Sequence, residues 1–261
     1  MGTIAPTLVK RSFQMVFSEL VKNKIYKKAA ESLSHRTVRI LVNSFLIAEV
    51  YGSENLDGIN SETIIMAANH FSRSDILALH FADQEVRKNN LRIWAHPTID
   101  SFPFSYFLHR LFEGINVIYT HGQQGAVAEK PNTSRLIEES ISSLMGGDDI
   151  GIFPEGRYND ARAQSNYDYR KPRKAYSGIG RLLKELYRCN PDDKLYVVPV
   201  FIDKQPGTLN RILEKFDFCR VNLYIGKPID NQALFLSIEH MPTSEELTTT
   251  IMSGIYQICT D

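Results

Sequence analysis

TIIMAANHFSRSD, residues 63–75, decides the fold because it joins a predicted strand to a predicted helix. Its first four residues, Thr63-Ile64-Ile65-Met66, form a β-branched and apolar run that is typical of a buried strand. The residues that follow it, Ile76-Leu77-Ala78-Leu79, indicate the start of a helix. His70 therefore lies on a strand-to-helix loop, where α/β proteins carry many of their reactive side chains.

His70 and Asp75 are placed so that they can act together. Asp75 falls in the first turn of the predicted helix, and its carboxylate can turn back to accept a hydrogen bond from one imidazole nitrogen. The other nitrogen is then left as a base for a hydroxyl group. No protein nucleophile accompanies the pair, so the hydroxyl would belong to the substrate. The reaction that this predicts is acyl transfer to an alcohol without a covalent enzyme intermediate.

A structural interpretation of the same residues stays open. Ser72-x-x-Asp75 before an apolar run also fits a capping box at a helix N-terminus, where the helix dipole favours a carboxylate. His70 would then be an ordinary loop histidine.

Composition and charge narrow the class of protein. The 261 residues include 30 Lys and Arg against 30 Asp and Glu, so the net charge gives no reason to expect a nucleic-acid partner. The three cysteines are far apart in the chain, which favours reduced thiols over a disulfide framework or a zinc site. No run reaches the roughly 18 consecutive apolar residues of a membrane span, and no signal-peptide pattern is present. We expect a cytoplasmic protein, soluble or peripheral on the inner face of a membrane.

Residues 1–48 differ in charge from the rest of the chain. Before residue 51 there are eight Lys and Arg but only three Glu, and apolar residues recur at spacings of three and four. The pattern predicts two amphipathic helices with basic faces. They could lie on a membrane, where each basic residue near an anionic leaflet contributes about 1 kcal/mol, or pack on the main domain with a solvated basic face. We expect this helical pair to precede one α/β domain at residues 49–261.

The remaining sequence alternates between strands and helices, which predicts an α/β fold with a mostly parallel central sheet flanked by helices. Pro199 indicates an end or a bulge in one strand. The aromatic segment 102–108 is typical of core and could also line an acyl-chain groove. Residues 49–52 form a short extended piece, and predicted strands occupy residues 63–66, 91–95, 114–119, 149–153, 196–201 and 220–226. Predicted helices include 132–145, 178–188 and a last one, capped by Thr243 and Glu246, that runs to about 257.

One predicted strand, 149–153, runs directly into Pro154-Glu155-Gly156-Arg157. The glycine permits an unusual backbone conformation or the close approach of a ligand, and the arginine offers a planar fork that suits a phosphate. A basic run, Arg170-Lys171-Pro172-Arg173-Lys174, follows and could contact a phosphate or coenzyme. The alternatives are a surface turn with a weak ion pair and a solvated run of charge.

Together these motifs resemble the glycerolipid acyltransferase superfamily, which includes glycerol-3-phosphate and 1-acylglycerol-3-phosphate acyltransferases. Asn69-His70-x-x-x-x-Asp75 is similar to the first motif of that family, Phe153-Pro154-Glu155-Gly156 to the third and Val198-Pro199-Val200 to the fourth. Weaker similarities at Gly52-Ser53-Glu54-Asn55-Leu56 and Gly226-Lys227-Pro228-Ile229 extend the resemblance over about residues 49–230.

The resemblance implies transfer of a fatty acyl chain from acyl-CoA or an acyl-carrier protein to a hydroxyl group, with 1-acylglycerol-3-phosphate as the favoured acceptor. It implies His70 as the general base and Asp75 as the group that orients it. Backbone amides near Gly156 or at the helix start are candidate oxyanion donors. No metal and no cofactor is expected beyond the acyl donor. The residues implied in acceptor binding are Glu155, Gly156, Arg157, Lys171, Arg173 and Lys174.

Two departures from the family pattern leave the acceptor open. The second motif usually places an acidic residue and an arginine after its strand, but this chain has Val117-Ile118-Tyr119-Thr120-His121. Arg157 also follows Gly156 directly, without the usual intervening threonine. A lysophospholipid, an aminoacyl lipid or a glycolipid is therefore an alternative acceptor, and a non-catalytic membrane-binding protein of this fold is an alternative from another class. A serine hydrolase is disfavoured because no Gly-x-Ser-x-Gly sequence is present.

Overall fold

A computed structural model gives the structure of the chain and describes residues 47–59, 61–72, 74–95, 116–119, 133–156, 168, 170–191, 194–207, 219–236 and 241–259. The predicted N-terminal helical pair lies outside these residues, except that Ile47 and Ala48 belong to the first strand. The boundary between residues 48 and 49 stays a prediction.

Eight strands and five α-helices make up the described part of the chain. The strands are β1 (Ile47–Tyr51), β2 (Thr63–Ala68), β3 (Leu91–Ala95), β4 (Asn116–Tyr119), β5 (Asp149–Ile152), β6 (Leu195–Lys204), β7 (Val221–Ile225) and β8 (Ile229–Asp230). The helices are α1 (Ser74–Val86), α2 (Thr133–Met145), α3 (Gly178–Cys189), α4 (Asn231–Leu236) and α5 (Ser244–Gln257), and a short 3-10 helix covers Ser53–Leu56. Within the described ranges, every helix falls short of the length and apolar character that crossing a bilayer demands.

All eight strands form one sheet in the order β1, β7, β6, β2, β5, β3, β4, with β8 paired to β6. Strands β2 to β6 run parallel to one another, whereas β7 and β8 run antiparallel to β6. Strand β1 pairs in parallel with β7 at the edge. The predicted α/β fold with a mostly parallel sheet flanked by helices is confirmed.

Helices cover both faces of the central strand β2. Ile64, Met66 and Ala68 pack into the core on the side of α1, because alternate residues of a strand point to opposite faces. Ile65 and Ala67 pack on the other side, against residues of α2, α3 and α5. Since neither face meets solvent, the strand is apolar without alternation, as the sequence predicted.

The register of β2 determines which loops meet. Ala67 lies opposite Ile152 of β5 on one side and Pro199 of β6 on the other. Neighbouring parallel strands end at the same edge of a sheet, so the residues that follow β2 and β5 emerge side by side. His70 and the Pro154-Glu155-Gly156 turn therefore lie together at the carboxyl edge, where ligands of open α/β sheets bind.

Pro199 neither ends β6 nor makes a bulge, so that prediction is wrong. The strand continues to Lys204 with regular pairing to β2. The carbonyl of Pro199 accepts a hydrogen bond from the Gly226 amide at 2.8 Å, between the stretches of β6 that pair with β8 and β7. The proline nitrogen faces the same gap, where no ladder hydrogen bond is required of it.

Helix α5 begins with the predicted capping box. The Thr243 hydroxyl accepts from the Glu246 amide at 3.2 Å, and the Glu246 carboxylate accepts from the Thr243 amide at 2.7 Å. The helix then packs against α3 and β6, and its residue Tyr256 reaches Glu155, which follows β5 at the carboxyl edge of the sheet.

A buried charged cluster that the sequence did not predict lies at the opposite edge. The guanidinium of Arg87 contacts Asp149 at 2.8 Å and also donates to the carbonyls of Ile59, at 2.9 Å, and Glu62. Asp83 lies beside this pair, and its side chain is fully buried. Burial and the charge of Asp149 raise the pKa of Asp83 from 3.8 to about 8, although Arg87 opposes the shift.

This cluster makes stability depend on pH. Folded Asp83 holds its proton between pH 4 and 8 where the unfolded chain loses it, so stability falls with rising pH across that window. His80, on the same helix, behaves in the opposite way, because burial lowers its pKa from 6.5 to about 4. Its contribution raises stability from pH 4 to 6.5, which offsets the effect of Asp83 there and leaves the loss uncompensated from pH 6.5 to 8.

Candidate active site

Asn69 fixes the point at which the chain leaves β2. Its side-chain oxygen accepts from the Ile202 amide at 2.7 Å, and its side-chain nitrogen donates to the Ile202 carbonyl at 2.9 Å. The carboxamide thereby replaces the backbone pairing that ends at Ala68 and Val200. The first residue of the motif thus has a structural role, which sets the position of His70.

His70 and Asp75 form a buried hydrogen-bonded pair. Imidazole Nδ1 lies 2.9 Å from Oδ2 of Asp75, and only 7% of the surface of His70 is exposed, against none for Asp75. A carboxylate can only accept a hydrogen bond, so Nδ1 carries the proton and Nε2 is the basic nitrogen of the neutral ring. The structure thus brings the two predicted catalytic residues together, while their roles in a reaction stay predictions.

Asp75 also holds the turn before the helix, so the carboxylate half of the predicted capping box is present, with Asp75 accepting from the Ser72 amide, beside the contact with His70. Oδ2 accepts from the backbone amides of Phe71 and Ser72, each at 2.7 Å, and Oδ1 accepts from the Ser72 hydroxyl. These contacts fix the orientation of the carboxylate that the imidazole bonds to. The Phe71 and Ser72 amides are therefore committed to Asp75, and the Gly156 amide donates to the Phe153 carbonyl at 3.0 Å. Those three candidate oxyanion donors are occupied.

Phe153 packs on one face of the His70 ring. The two rings stack with centroids 4.3 Å apart and planes inclined by 25°. Phe153 follows β5, so the strand order of the sheet places this contact. With Asp75 bonded to its edge and Phe153 packed on its face, the imidazole is held in one orientation.

The Pro154-Glu155-Gly156 turn places a carboxylate against the His70 loop. Gly156 has a φ of 76°, in the left-handed region that favours glycine, and a Cβ there would lie 2.6 Å from the Tyr176 ring. The turn lets the Glu155 side chain point inward, where it is fully buried. Glu155 Oε2 accepts from the His70 amide at 3.4 Å and from Arg173 Nη2 at 3.0 Å.

Two further groups complete the surroundings of Glu155. Its Oε1 accepts from the Arg173 amide at 3.2 Å and from the hydroxyl of Tyr256 on α5. The Arg173 guanidinium also donates to the His70 carbonyl at 2.7 Å. Glu155 is thus closely associated with the His70 loop, whereas its predicted contact with substrate stays untested.

The predicted basic residues go to different places. Arg170 forms an exposed ion pair with Asp203 at 3.1 Å, and Lys171 lies 3.5 Å from Asp168. Arg173 is held by Glu155 and His70, as described above. Arg157 lies outside the described residues, as do the aromatic segment 102–108 and the end of the second motif at residues 120–121.

Lys174 is placed differently from these residues. It lines a cleft of about 420 Å³ between the segment 172–177 and α5, with Arg173 and Tyr256 also in the wall. Among the described residues, no acidic side chain forms an ion pair with Lys174, although Glu245 of α5 lines the same cleft.

The fold and site define an α/β protein whose central strand ends in an oriented His–Asp pair, beside a buried Glu on the neighbouring strand end. The family model described as acyltransferase matches residues 47–203, more than half of the chain, so the chain belongs to the acyltransferase family, that of the glycerolipid acyltransferases. The resemblance seen in the motifs is confirmed, and acyl transfer in lipid metabolism is the class of activity that follows. No curated protein matches the chain.

Sequence reasoning missed Tyr256, the stacking of Phe153 on His70 and the bridging role of Asn69. Phe153 and Asn69 stand inside motifs that were recognised, so only their contacts were missed. Tyr256 lies in α5, beyond the matched region, and its only signal was the capped amphipathic helix that carries it.

Proposed function

We propose that the chain transfers a fatty acyl group from an acyl thioester, acyl-CoA or acyl-carrier protein, to a free hydroxyl of a glycerophospholipid precursor. The favoured acceptor is 1-acylglycerol-3-phosphate. The observation that carries the proposal is the 2.9 Å hydrogen bond between His70 and Asp75 on the turn after the central strand, in a chain that belongs to the acyltransferase family.

The reaction needs one base and no protein nucleophile. Nε2 of His70 takes the proton of the acceptor hydroxyl as its oxygen attacks the thioester carbonyl carbon, and the carbonyl π electrons move to oxygen. The tetrahedral intermediate collapses with cleavage of the C–S bond, and the leaving thiolate takes the proton from the imidazolium. The products are an ester and a free thiol. Asp75 supports the first proton transfer because its charge favours the imidazolium that forms.

A positioned base of this kind contributes about 10²–10⁴-fold to the rate. The ring is already oriented by Asp75 and Phe153, so little further ordering is needed when substrate binds. The small exposed part of His70 is the surface that the hydroxyl has to reach.

For the acceptor phosphate we propose Lys174, together with Arg157. Lys174 is supported by its place in the cleft beside Arg173 and by the absence of an acidic partner among the described residues. Arg157 is supported by its sequence position directly after Gly156 and by the fit of a guanidinium to phosphate oxygens. Lys171 and the Arg173 guanidinium, each paired with a carboxylate, rank below these two.

The test is a mixed assay with the purified native chain. Lyso-acceptors with and without a free phosphomonoester are supplied with acyl-CoA or acyl-carrier protein, and products are identified by mass spectrometry while thiol release is followed. Phosphatidic acid, the acylated form of 1-acylglycerol-3-phosphate, as the main product supports the proposal, and His70→Ala should abolish its formation. Near-normal transfer by a folded His70→Ala protein would refute the mechanism, and no thiol release from any donor would favour a non-catalytic membrane-binding protein.

A second acceptor class keeps its support from the second motif. Strand β4 pairs with β3 in the usual way, but Val117-Ile118-Tyr119-Thr120-His121 offers no arginine for the phosphate. The same chemistry on a lysophospholipid, an aminoacyl lipid or a glycolipid is the alternative. Transfer to acceptors that lack a phosphomonoester identifies it, and strict dependence on that group excludes it.

We also propose that residues 1–48 contact a membrane surface, on the basis of their basic amphipathic pattern. Binding to vesicles with anionic lipid should weaken as salt increases, because a Debye length of about 8 Å at physiological salt shrinks further. Equal binding to neutral and anionic vesicles would contradict the electrostatic part of this proposal.

A further inference from the structure

We propose that Tyr256 is a positioning residue for the general base, acting through Glu155 and Arg173. This proposal rests on the proposed function of His70. It assigns a role in the active site to α5, which lies beyond the region that the family model matches.

The backbone amide and the backbone carbonyl of His70 are both hydrogen-bonded. Glu155 Oε2 accepts from the His70 amide at 3.4 Å, and Arg173 Nη2 donates to the His70 carbonyl at 2.7 Å. Strand β2 has ended two residues earlier, at Ala68, so His70 lies beyond the paired residues of that strand. The Glu155–Arg173 ion pair, 3.0 Å long, therefore acts as a brace for the backbone that carries the imidazole.

Tyr256 holds the remaining side of that brace. Its hydroxyl donates to Glu155 Oε1, the oxygen that does not contact His70, and this bond joins residues 101 positions apart. The Tyr256 ring is itself fixed, because it is 7% exposed and packs edge-on against Phe201 with centroids 5.9 Å apart. Helix α5 thus presents a rigid donor to a fully buried carboxylate.

The brace holds the backbone of His70, so its loss should affect the orientation of the base and not the binding of substrate. A carboxylate that has lost one of its donors can rotate toward the remaining ones, and the His70 peptide then moves with it. Displacements of about 1 Å at a reacting group can cost about 100-fold in rate. In this proposal Glu155 acts through His70 and not as a substrate contact, so loosening it should lower kcat and leave the KM values for both substrates unchanged.

The experiment measures kcat and both KM values for Tyr256→Phe, with Tyr187→Phe as the matched control. Tyr187 lies on α3 and stacks on Phe235, so its variant loses one phenolic hydroxyl away from the brace. We expect kcat to fall about 10-fold in Tyr256→Phe, with both KM values within about twofold of native, and no change in Tyr187→Phe. Melting temperatures establish that both variants are folded.

Glu155→Gln gives a second, independent measurement, which also serves if Tyr256→Phe does not fold. Its kcat should fall more than that of Tyr256→Phe, and adding Tyr256→Phe to it should cost less than a further twofold. A raised KM for the acceptor at unchanged kcat would overturn the proposal and identify Glu155 as a substrate contact. Native kcat in folded Tyr256→Phe, or a full additional 10-fold loss in the double variant, would also overturn it.

Failure of this proposal is distinguishable from failure of the proposed function. If His70→Ala is inactive and Tyr256→Phe matches the native kcat, only the positioning role is lost. If His70→Ala keeps near-native activity, both the general-base mechanism and the positioning role are refuted.

Discussion

Replacement of Asp75 by Asn tests the central pair without removing a side chain. Asparagine has nearly the same shape, and its oxygen can take the place of Oδ2, which accepts from His70, Phe71 and Ser72. Its amide nitrogen then faces the Ser72 hydroxyl, which can rotate to accept. The local fold is therefore retained, and the change is mainly the loss of one negative charge next to the imidazole.

The distance sets the size of the effect. A unit charge pair at the 2.9 Å between Nδ1 and Oδ2 interacts by about 6 kcal/mol at an effective dielectric constant of about 20. Since about 1.4 kcal/mol corresponds to a factor of ten, this is about 10⁴-fold in stabilising the imidazolium. The neutral amide oxygen keeps part of the attraction, so we expect kcat to fall by about 10³–10⁴-fold.

Stability should change much less than the rate. Hydrogen bonds to a charged acceptor contribute about 1.5–3 kcal/mol and those to a neutral one about 1 kcal/mol. The two backbone amides that Asp75 accepts from therefore predict a loss of about 2 kcal/mol in the free energy of unfolding. Asp230→Asn is the matched control, because Asp230 accepts from the Gln232 amide at 2.8 Å in β8, away from His70.

The assay is thiol release from the acyl thioester under saturating acceptor, combined with denaturation to confirm folding. Asp75→Asn should be folded and nearly inactive, whereas Asp230→Asn should keep the native kcat and lose about 1 kcal/mol in the free energy of unfolding, for its one amide. A folded Asp75→Asn variant with kcat within tenfold of native would refute the claim that this carboxylate orients and supports the base.

Three further predictions concern stability and binding. Asp83→Asn should remove the decline in unfolding free energy from pH 6.5 to 8, which is about 1.4 kcal/mol per pH unit, and expose the rise from pH 4 to 6.5 that His80 causes. Denaturation across pH measures both effects, and an unchanged profile would contradict the raised pKa of Asp83. Lys174→Ala should raise the KM for a phosphorylated acceptor about 10-fold with little change in kcat. The control variant Lys194→Ala, at the amino end of β6, should keep the native KM; equal KM values in the two variants would exclude Lys174 from the acceptor site. Asn69→Ala should lower the free energy of unfolding by about 2–5 kcal/mol, because an amide and a carbonyl of β6 lose their buried partners; a loss below about 1 kcal/mol in chemical denaturation would show that the bridge contributes little.

Local patterns predicted most of the secondary structure. Strand β3 and the start of α3 were predicted to the residue, and the capping box that starts α5 was recognised from Thr243 and Glu246. Each of these depends on neighbours within four or five residues. Pro199 was misjudged because its missing amide matters only in relation to the strands beside β6, and those strands are not visible in the local sequence.

The basic run 170–174 shows the same limit within the site. The sequence presented its charged residues as one group that could meet a phosphate. In the structure, Arg170 pairs with Asp203 and Arg173 with Glu155, both on distant segments. Lys171 pairs locally with Asp168, and Lys174 faces the cleft. The residue types were visible in advance, whereas their partners depended on which elements the fold brought alongside.

Three features of this protein follow from local sequence alone: the apolar strand β2, the His70–Asp75 spacing on the turn after it and the α/β alternation around them. Those features are encoded by hydrophobic periodicity and by contacts five residues apart. Two others depend on the folded chain: Glu155, Arg173 and Tyr256 converge on the backbone of His70, and Asp83 and Asp149 share a buried site. The physical reason is that hydrogen bonds between distant segments depend on strand order and register, which a local pattern does not contain.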